Sequence, residues 1–148
     1  MTFAQKVKFY LKHNPINELY NEADRRGVEV LCAETTAVKS LSLMTDSGCC
    51  YIGINPYMLS SNADEAVCLA HELGHCARGA FYNRYSSLDI RSRHERRAQN
   101  WAIKKLVPKD ELIELYSAGT TDNSEVSEHF GITEEFLQLV LEYYSSVA

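Results

Sequence analysis

The stretch His71-Glu72-Leu73-Gly74-His75 decides how the rest of the chain is read. At 100° per residue on a helix, its two histidines lie about 40° apart on one face, so two imidazoles converge on a single cation. Glu72 falls about 100° from His71, where a carboxylate can reach an attacking water without being a ligand itself. Ala66, Leu69, Ala70, Leu73 and Ala77 gather on the other side of the same wheel. The helix can therefore bury an apolar face and still present the histidines.

Working outward, Ser61, Asn62, Asp64 and Glu65 offer two overlapping capping boxes for this helix, which is expected to run to about Ala80. Before it, Val28 to Ala33 reads as a strand. Leu41 and Leu43 alternate with serines, Asp46-Ser47-Gly48 is a turn signal, and Ile52 and Ile54 alternate after it. A small antiparallel sheet with a hairpin is predicted. Asn14 then Pro15 reads as N-cap and N1 of a helix carrying Ile16, Leu19, Tyr20 and Ala23 and stopped by Gly27; Phe3, Val7, Tyr10 and Leu11 suggest another before it. After the motif, helices are predicted over 93–106, 109–117, 122–130 and 134–145, punctuated by Pro108, Gly119 and Gly131. The expected fold is α+β, one domain over 1–148, with helices and sheet in 1–58, active-site helices in 60–107 and an acidic helical part in 108–148.

Composition narrows the class. A chain of 148 residues, 45% hydrophobic and 24% charged, can build a core of its own. The longest uncharged stretch, Ser47 to Ala63, contains Asn55 and Pro56, so no membrane span is expected. The first twelve residues carry Lys6, Lys8 and Lys12 and lack an apolar secretory core. Five cysteines, Cys32, Cys49, Cys50, Cys68 and Cys76, show no framework spacing and are expected to be free thiols in a reducing compartment; Cys68 is expected to be a buried structural thiol. Residues 71–109 carry 9 basic and 3 acidic groups, whereas residues 110–148 carry 9 acidic groups and no Lys or Arg. Val126 to Tyr144 has the apolar rhythm of a helix-turn-helix, but a DNA reader needs cations on that element. No nucleic-acid binding is expected. The arginines at 91, 93, 96 and 97, with Arg78 and Arg84, read either as a solvated face balancing the acidic end or as a rim around Glu95 for an acidic substrate segment.

Two histidines leave a catalytic zinc one protein ligand short. Asp89, His94 and Glu95 are the downstream candidates. Glu95 shares a helix face with Ala98, Ala102 and Leu106, and a carboxylate centred on an apolar face gains from binding a dication, while the alanines permit close helix approach. Glu72 is the expected general base. Tyr82, Tyr85 and His94 are candidate donors to an oxyanion, and Cys50 to Ile54 is the expected edge for pairing with an extended substrate.

From about Asn14 to Pro108 the sequence resembles the ImmA/IrrE family of zinc metallo-endopeptidases. The resemblance rests on the strand Tyr51 to Asn55, on His71-Glu72-Leu73-Gly74-His75, and on Glu95-Arg96-Arg97-Ala98 leading through Trp101-Ala102 to Leu106-Val107-Pro108. The last of these is similar to the family's Glu-x-x-Ala-x-x-Phe-Ala…Leu-x-Pro pattern. It implies a zincin-like fold, zinc held by His71, His75 and Glu95, and Glu72 as the catalytic residue. It also implies a cytoplasmic protein, often carried by phages and other mobile elements, that removes or inactivates a helix-turn-helix repressor. Gln99 and Lys105 depart from the family's usual residues and are expected on the face away from zinc. A rival expectation is a zinc-stabilised binding protein that inactivates its partner without cutting it.

Overall fold

The computed structural model describes residues 2–12, 14–34 and 36–148; the side chains of residues 8–12 lie outside what it describes, Tyr10 and Leu11 among them. Helix α1 (Phe3–Lys12) leaves Phe3 and Val7 exposed. Helix α2 (Pro15–Arg25) begins as its sequence requires: the Asn14 side chain accepts the Ile16 N–H at 3.2 Å, with Pro15 at N1. Leu19 and Ala23 are buried on one face, and the chain turns at Gly27, whose φ of 67° only glycine adopts readily.

Three short strands follow, β1 (Glu29–Cys32), β2 (Ser40–Met44) and β3 (Cys50–Ile54), in the order β1-β3-β2. The hairpin β2–β3 is antiparallel as expected, but β1 runs parallel to β3, so the sheet is mixed rather than antiparallel. The reason is positional. The hairpin occupies one side of β3, and β1 takes the remaining side in the parallel sense, a pairing with no local turn signal. Cys50–Ile54 is therefore the central strand and cannot be the substrate-pairing edge; the edges are β1 and β2.

Register gives β2 an inverted polarity. Ser40 lies opposite Ile54 and Ser42 opposite Ile52, so the serines share the face of Cys50, Ile52 and Ile54. That face is turned to helix α3 (Asn62–Arg78), as a Cys50–Cys76 disulfide and a Ser40–Glu72 hydrogen bond show. Leu41 and Leu43 point the other way, and Leu43 stays 48% exposed. The disulfide corrects the expectation of five free thiols. Packing of β3 on α3 brings Cys50 and Cys76 to 6.0 Å between Cα atoms, a meeting that no spacing in the sequence signals. Closing a loop of 26 residues contributes roughly 3.5 kcal/mol through the unfolded chain's lost entropy. Cys32 and Cys49 are free and exposed, and Cys68 is free and half-buried, its thiol pushed up by burial.

The Ser61 hydroxyl caps α3 by accepting the Asp64 N–H at 3.0 Å, and the Asp64 carboxylate accepts the Ser60 N–H in turn. Gly79, at φ 58°, ends it. Ala66, Leu69, Ala70 and Leu73 are fully buried, as the wheel requires, and each of the two leucines contributes about 1.5–3 kcal/mol by leaving water. Helix α4 (Leu88–Leu106) begins five residues before the predicted start, because Ser87 accepts the Ile90 N–H and serves as its cap. Helices α5 (Lys109–Ser117), α6 (Asn123–Phe130) and α7 (Glu134–Ser146) close the chain. Val126, Phe130, Ile132, Phe136, Leu137 and Val140 join the same core, and Tyr144 donates to the Val107 carbonyl at 2.7 Å. The terminal helices thus pack rather than stand free.

Helices α3 and α4 approach each other closely at Gly74. A Cβ built on Gly74 would run into the Ala98 carbonyl oxygen and lie 2.9 Å from its Cα, both backbone atoms that no rotamer change can move. Helix propensity alone favours alanine over glycine by about 1 kcal/mol. Overpacking against backbone costs more, so Gly74→Ala should lower unfolding free energy by about 2 kcal/mol or more in a urea titration. A variant more stable than the parent would contradict this contact.

Candidate metal centre

His71 and His75 are one turn apart on α3, and the α3–α4 contact sets Glu95 opposite them. His71 Nε2 lies 2.8 Å from Glu95 Oε2, His75 Nε2 lies 3.3 Å from Glu95 Oε1, and the two Nε2 atoms are 3.2 Å apart. Three donors holding one zinc tetrahedrally at roughly 2.0–2.1 Å would be about 3.3–3.4 Å from one another. The donor chemistry and the spacing both fit such an ion. The tautomers fit as well: His75 Nδ1 is hydrogen-bonded to the Ala80 carbonyl, and His71 Nδ1 lies 2.9 Å from Gln99 Oε1. With Nδ1 donating in each ring, both Nε2 lone pairs are left for a cation.

Glu95 is half-buried, and its burial pushes the carboxyl up. The hydrogen bond from Tyr82, at 2.7 Å, and the two nearby imidazoles outweigh it, so the carboxyl is held below its ordinary range and stays an anionic donor. The same bond pushes the Tyr82 phenol up. Glu72 is 7% exposed and accepts a hydrogen bond from Ser40 Oγ at 2.9 Å. All of these groups line one cleft of about 400 Å³, walled on one side by Val38 and residues Ser40 to Ser42 of β2 and on the other by Phe81 and Tyr82.

Among the three candidates for a third donor, only Glu95 joins the histidines. Asp89 is exposed and paired with Arg93 at 2.7 Å, and His94 stacks on Tyr82 outside the cluster with its Nδ1 buried and unpartnered. Of the expected oxyanion donors Tyr82 lines the cleft, whereas Tyr85 is 81% exposed beneath the Arg84 guanidinium. Cys68 is not in the cluster.

Two expectations need correction. Gln99 does not lie away from the site, since one helical turn from Glu95 it reaches the far nitrogen of His71. Lys105 does face elsewhere, toward Glu18 and Glu22 of α2 at 3.6 and 3.5 Å. Nor do the arginines encircle Glu95. None lines the cleft; Arg91 holds the loop before α4 through the Ser86 and Arg84 carbonyls, and Arg96 and Arg97 are exposed. Arg93, Arg96 and Arg97 are exposed, in keeping with a solvated face, and among the described residues no ion pair joins them to the acids of 110–148. Sequence reasoning missed Ser40 and the part played by Gln99. The alternating serines of β2 were the one available sign, and alternation alone does not say which face turns inward.

Gln99→Leu removes the acceptor on His71 Nδ1 while keeping much of the side-chain volume. Zinc affinity should fall about 10- to 100-fold, read by competition with a chromophoric chelator, with little change in helix content. Unchanged affinity would show that the ring is oriented without Gln99.

Comparison with known proteins adds one finding. Residues 23–142 match the Peptidase_M78 model, described as the IrrE N-terminal-like domain, and the match takes in the sheet, α3, α4 and most of the terminal helices. No curated protein and no solved structure matches the chain. With the model covering well over half of its length, the chain belongs to the Peptidase_M78 family of IrrE N-terminal-like domains.

Proposed function

We propose that this chain is a zinc-dependent metallo-endopeptidase that hydrolyses a peptide bond in a protein substrate. The observation that carries the reading is the meeting of His71, His75 and Glu95 in one cleft with the buried carboxylate of Glu72, in a member of a peptidase family. His71 Nε2, His75 Nε2 and a Glu95 oxygen would hold the ion. When bound, zinc supplies Lewis acidity, making a water acidic enough to attack near neutral pH and polarising the scissile carbonyl.

The chain's own residues do the remaining work. Glu72 takes the proton of the attacking water and delivers it to the leaving amine. Tyr82 keeps Glu95 anionic through its hydroxyl, and from the cleft wall the same hydroxyl can turn to the oxyanion as charge develops there. An extended peptide can pair with β2, which is an edge strand and lines the cleft. The substrate we propose is a helix-turn-helix transcriptional repressor of the phage or mobile-element type, met in the cytoplasm; this part rests on the family resemblance. Among the described residues no helix is long and apolar enough to cross a membrane.

Glu72→Gln keeps the shape and the three donors but removes the base. It should retain one zinc and a near-parental melting temperature while cleavage falls about 10²- to 10⁴-fold. His71→Ala, His75→Ala and Glu95→Ala should each lose the metal, and a chelator should stop cleavage by the parent. Defined fragments of a candidate repressor, absent with Glu72→Gln, would support the reading. Repressor inactivated equally well by Glu72→Gln would support the binding-only alternative.

A further inference from the structure

Ser40 has no part in the chemistry proposed above. It lies on β2 at a position facing α3, opposite Ile54, where a half-buried strand ordinarily places an apolar side chain. Here the strand turns its serines inward and leaves Leu43 48% exposed, an arrangement that forgoes apolar burial. What the inversion gains is a donor for a buried acid. Ser40 Oγ donates to Glu72 Oε1 at 2.9 Å, and this is the sole side-chain hydrogen bond to that carboxylate among the described residues. Glu72 Oε2 has no hydrogen-bond partner among the described residues, and the carboxylate lines the cleft.

Ser40 is tied in place through its neighbour. Lys39, its neighbour, pairs with Asp64 in the first turn of α3 at 2.9 Å, and the Lys39 carbonyl accepts the Asn55 N–H at 2.9 Å. The donor is thus referenced both to the sheet and to the helix that carries the base. A glutamate's last torsion is broad and nearly two-fold, so an untethered carboxylate would sample orientations that point neither oxygen at the water.

Building on the peptidase reading above, we propose that Ser40 is a positioning residue: it clamps one oxygen of Glu72 so that the other faces the water to be deprotonated, and it places that clamp on the strand along which substrate lies. Substrate binding and base orientation then share one element.

The test compares the full-length parent with Ser40→Ala and Ser40→Thr on a fluorogenic casein and on a mixed peptide library. Ser40→Ala should keep one zinc per chain and a KM within about threefold while kcat falls about 10- to 100-fold, and Ser40→Thr, which retains the hydroxyl, should recover most of it. A second measurement is independent of turnover. In metal-free protein, Ser40→Ala should lower the melting temperature when Glu72 is present and have little effect in a Glu72→Ala background. Full kcat in Ser40→Ala, equal losses of kcat in the alanine and threonine variants, or additive melting effects would each overturn the proposal. A parent chain that, with zinc bound, cuts neither these substrates nor a candidate repressor would instead overturn the peptidase reading, and the role of Ser40 with it.

Discussion

The contact of Gly74 with Ala98 is the constraint on which the rest depends. Two α-helices ordinarily pack at 8–10 Å between axes, and a pair that carries donors for one small ion must hold them to within a fraction of an ångström. Gly74 has no side chain, Ala98 and Ala102 are small and fully buried, and α4 therefore settles directly on the turn of α3 that bears His71 and His75. Glu95, one turn before Ala98, arrives at the two imidazoles without reaching, and Gln99, one residue beyond Ala98, arrives at the back of His71. A single close approach thus sets a donor and a supporting hydrogen bond together.

Around that contact the polar groups are arranged against the usual direction of burial. A carboxylate 7% exposed, one buried and one half-buried imidazole and a second carboxylate would be costly side by side in an apolar wall. The structure offsets this with aimed partners: the Ala80 carbonyl and Gln99 on the far ring nitrogens, Tyr82 on Glu95, and Ser40 on Glu72. The cost is shifted to the sheet, which leaves Leu31 and Leu43 nearly half exposed on its outer face. The disulfide from Cys50 to Cys76, directly after His75, pins the same end of α3 to the central strand.

What the sequence made legible follows from how local each signal is. His71, Glu72 and His75 could be read from spacing, because a helix turns sequence distance into angle with little freedom. Glu95 could be read because a carboxylate amid Ala98, Ala102 and Leu106 has few other reasons to be there. The caps at Asn14 and Ser61 are legible for the same local reason, and Ser87, which caps α4, carries the same kind of hydroxyl five residues before the apolar rhythm begins to show. The parallel pairing of β1 was not legible, since nothing within either strand encodes a partner that lies beyond an intervening hairpin. The disulfide, the reach of Gln99 and the inward serines are likewise products of packing between distant segments. The arginines show that closeness in sequence does not fix closeness in space: Arg96 and Arg97 follow Glu95 directly, yet both are exposed on α4 and neither lines the cleft.

The central claim is that one metal ion sits between α3 and α4. Anomalous diffraction at the zinc edge from crystals of the purified chain tests it most directly. The account predicts one strong peak, roughly 2.0–2.1 Å from His71 Nε2, His75 Nε2 and a Glu95 oxygen, with Glu72 outside the coordination sphere. A peak elsewhere, or none at this cluster with zinc present in excess, would contradict it.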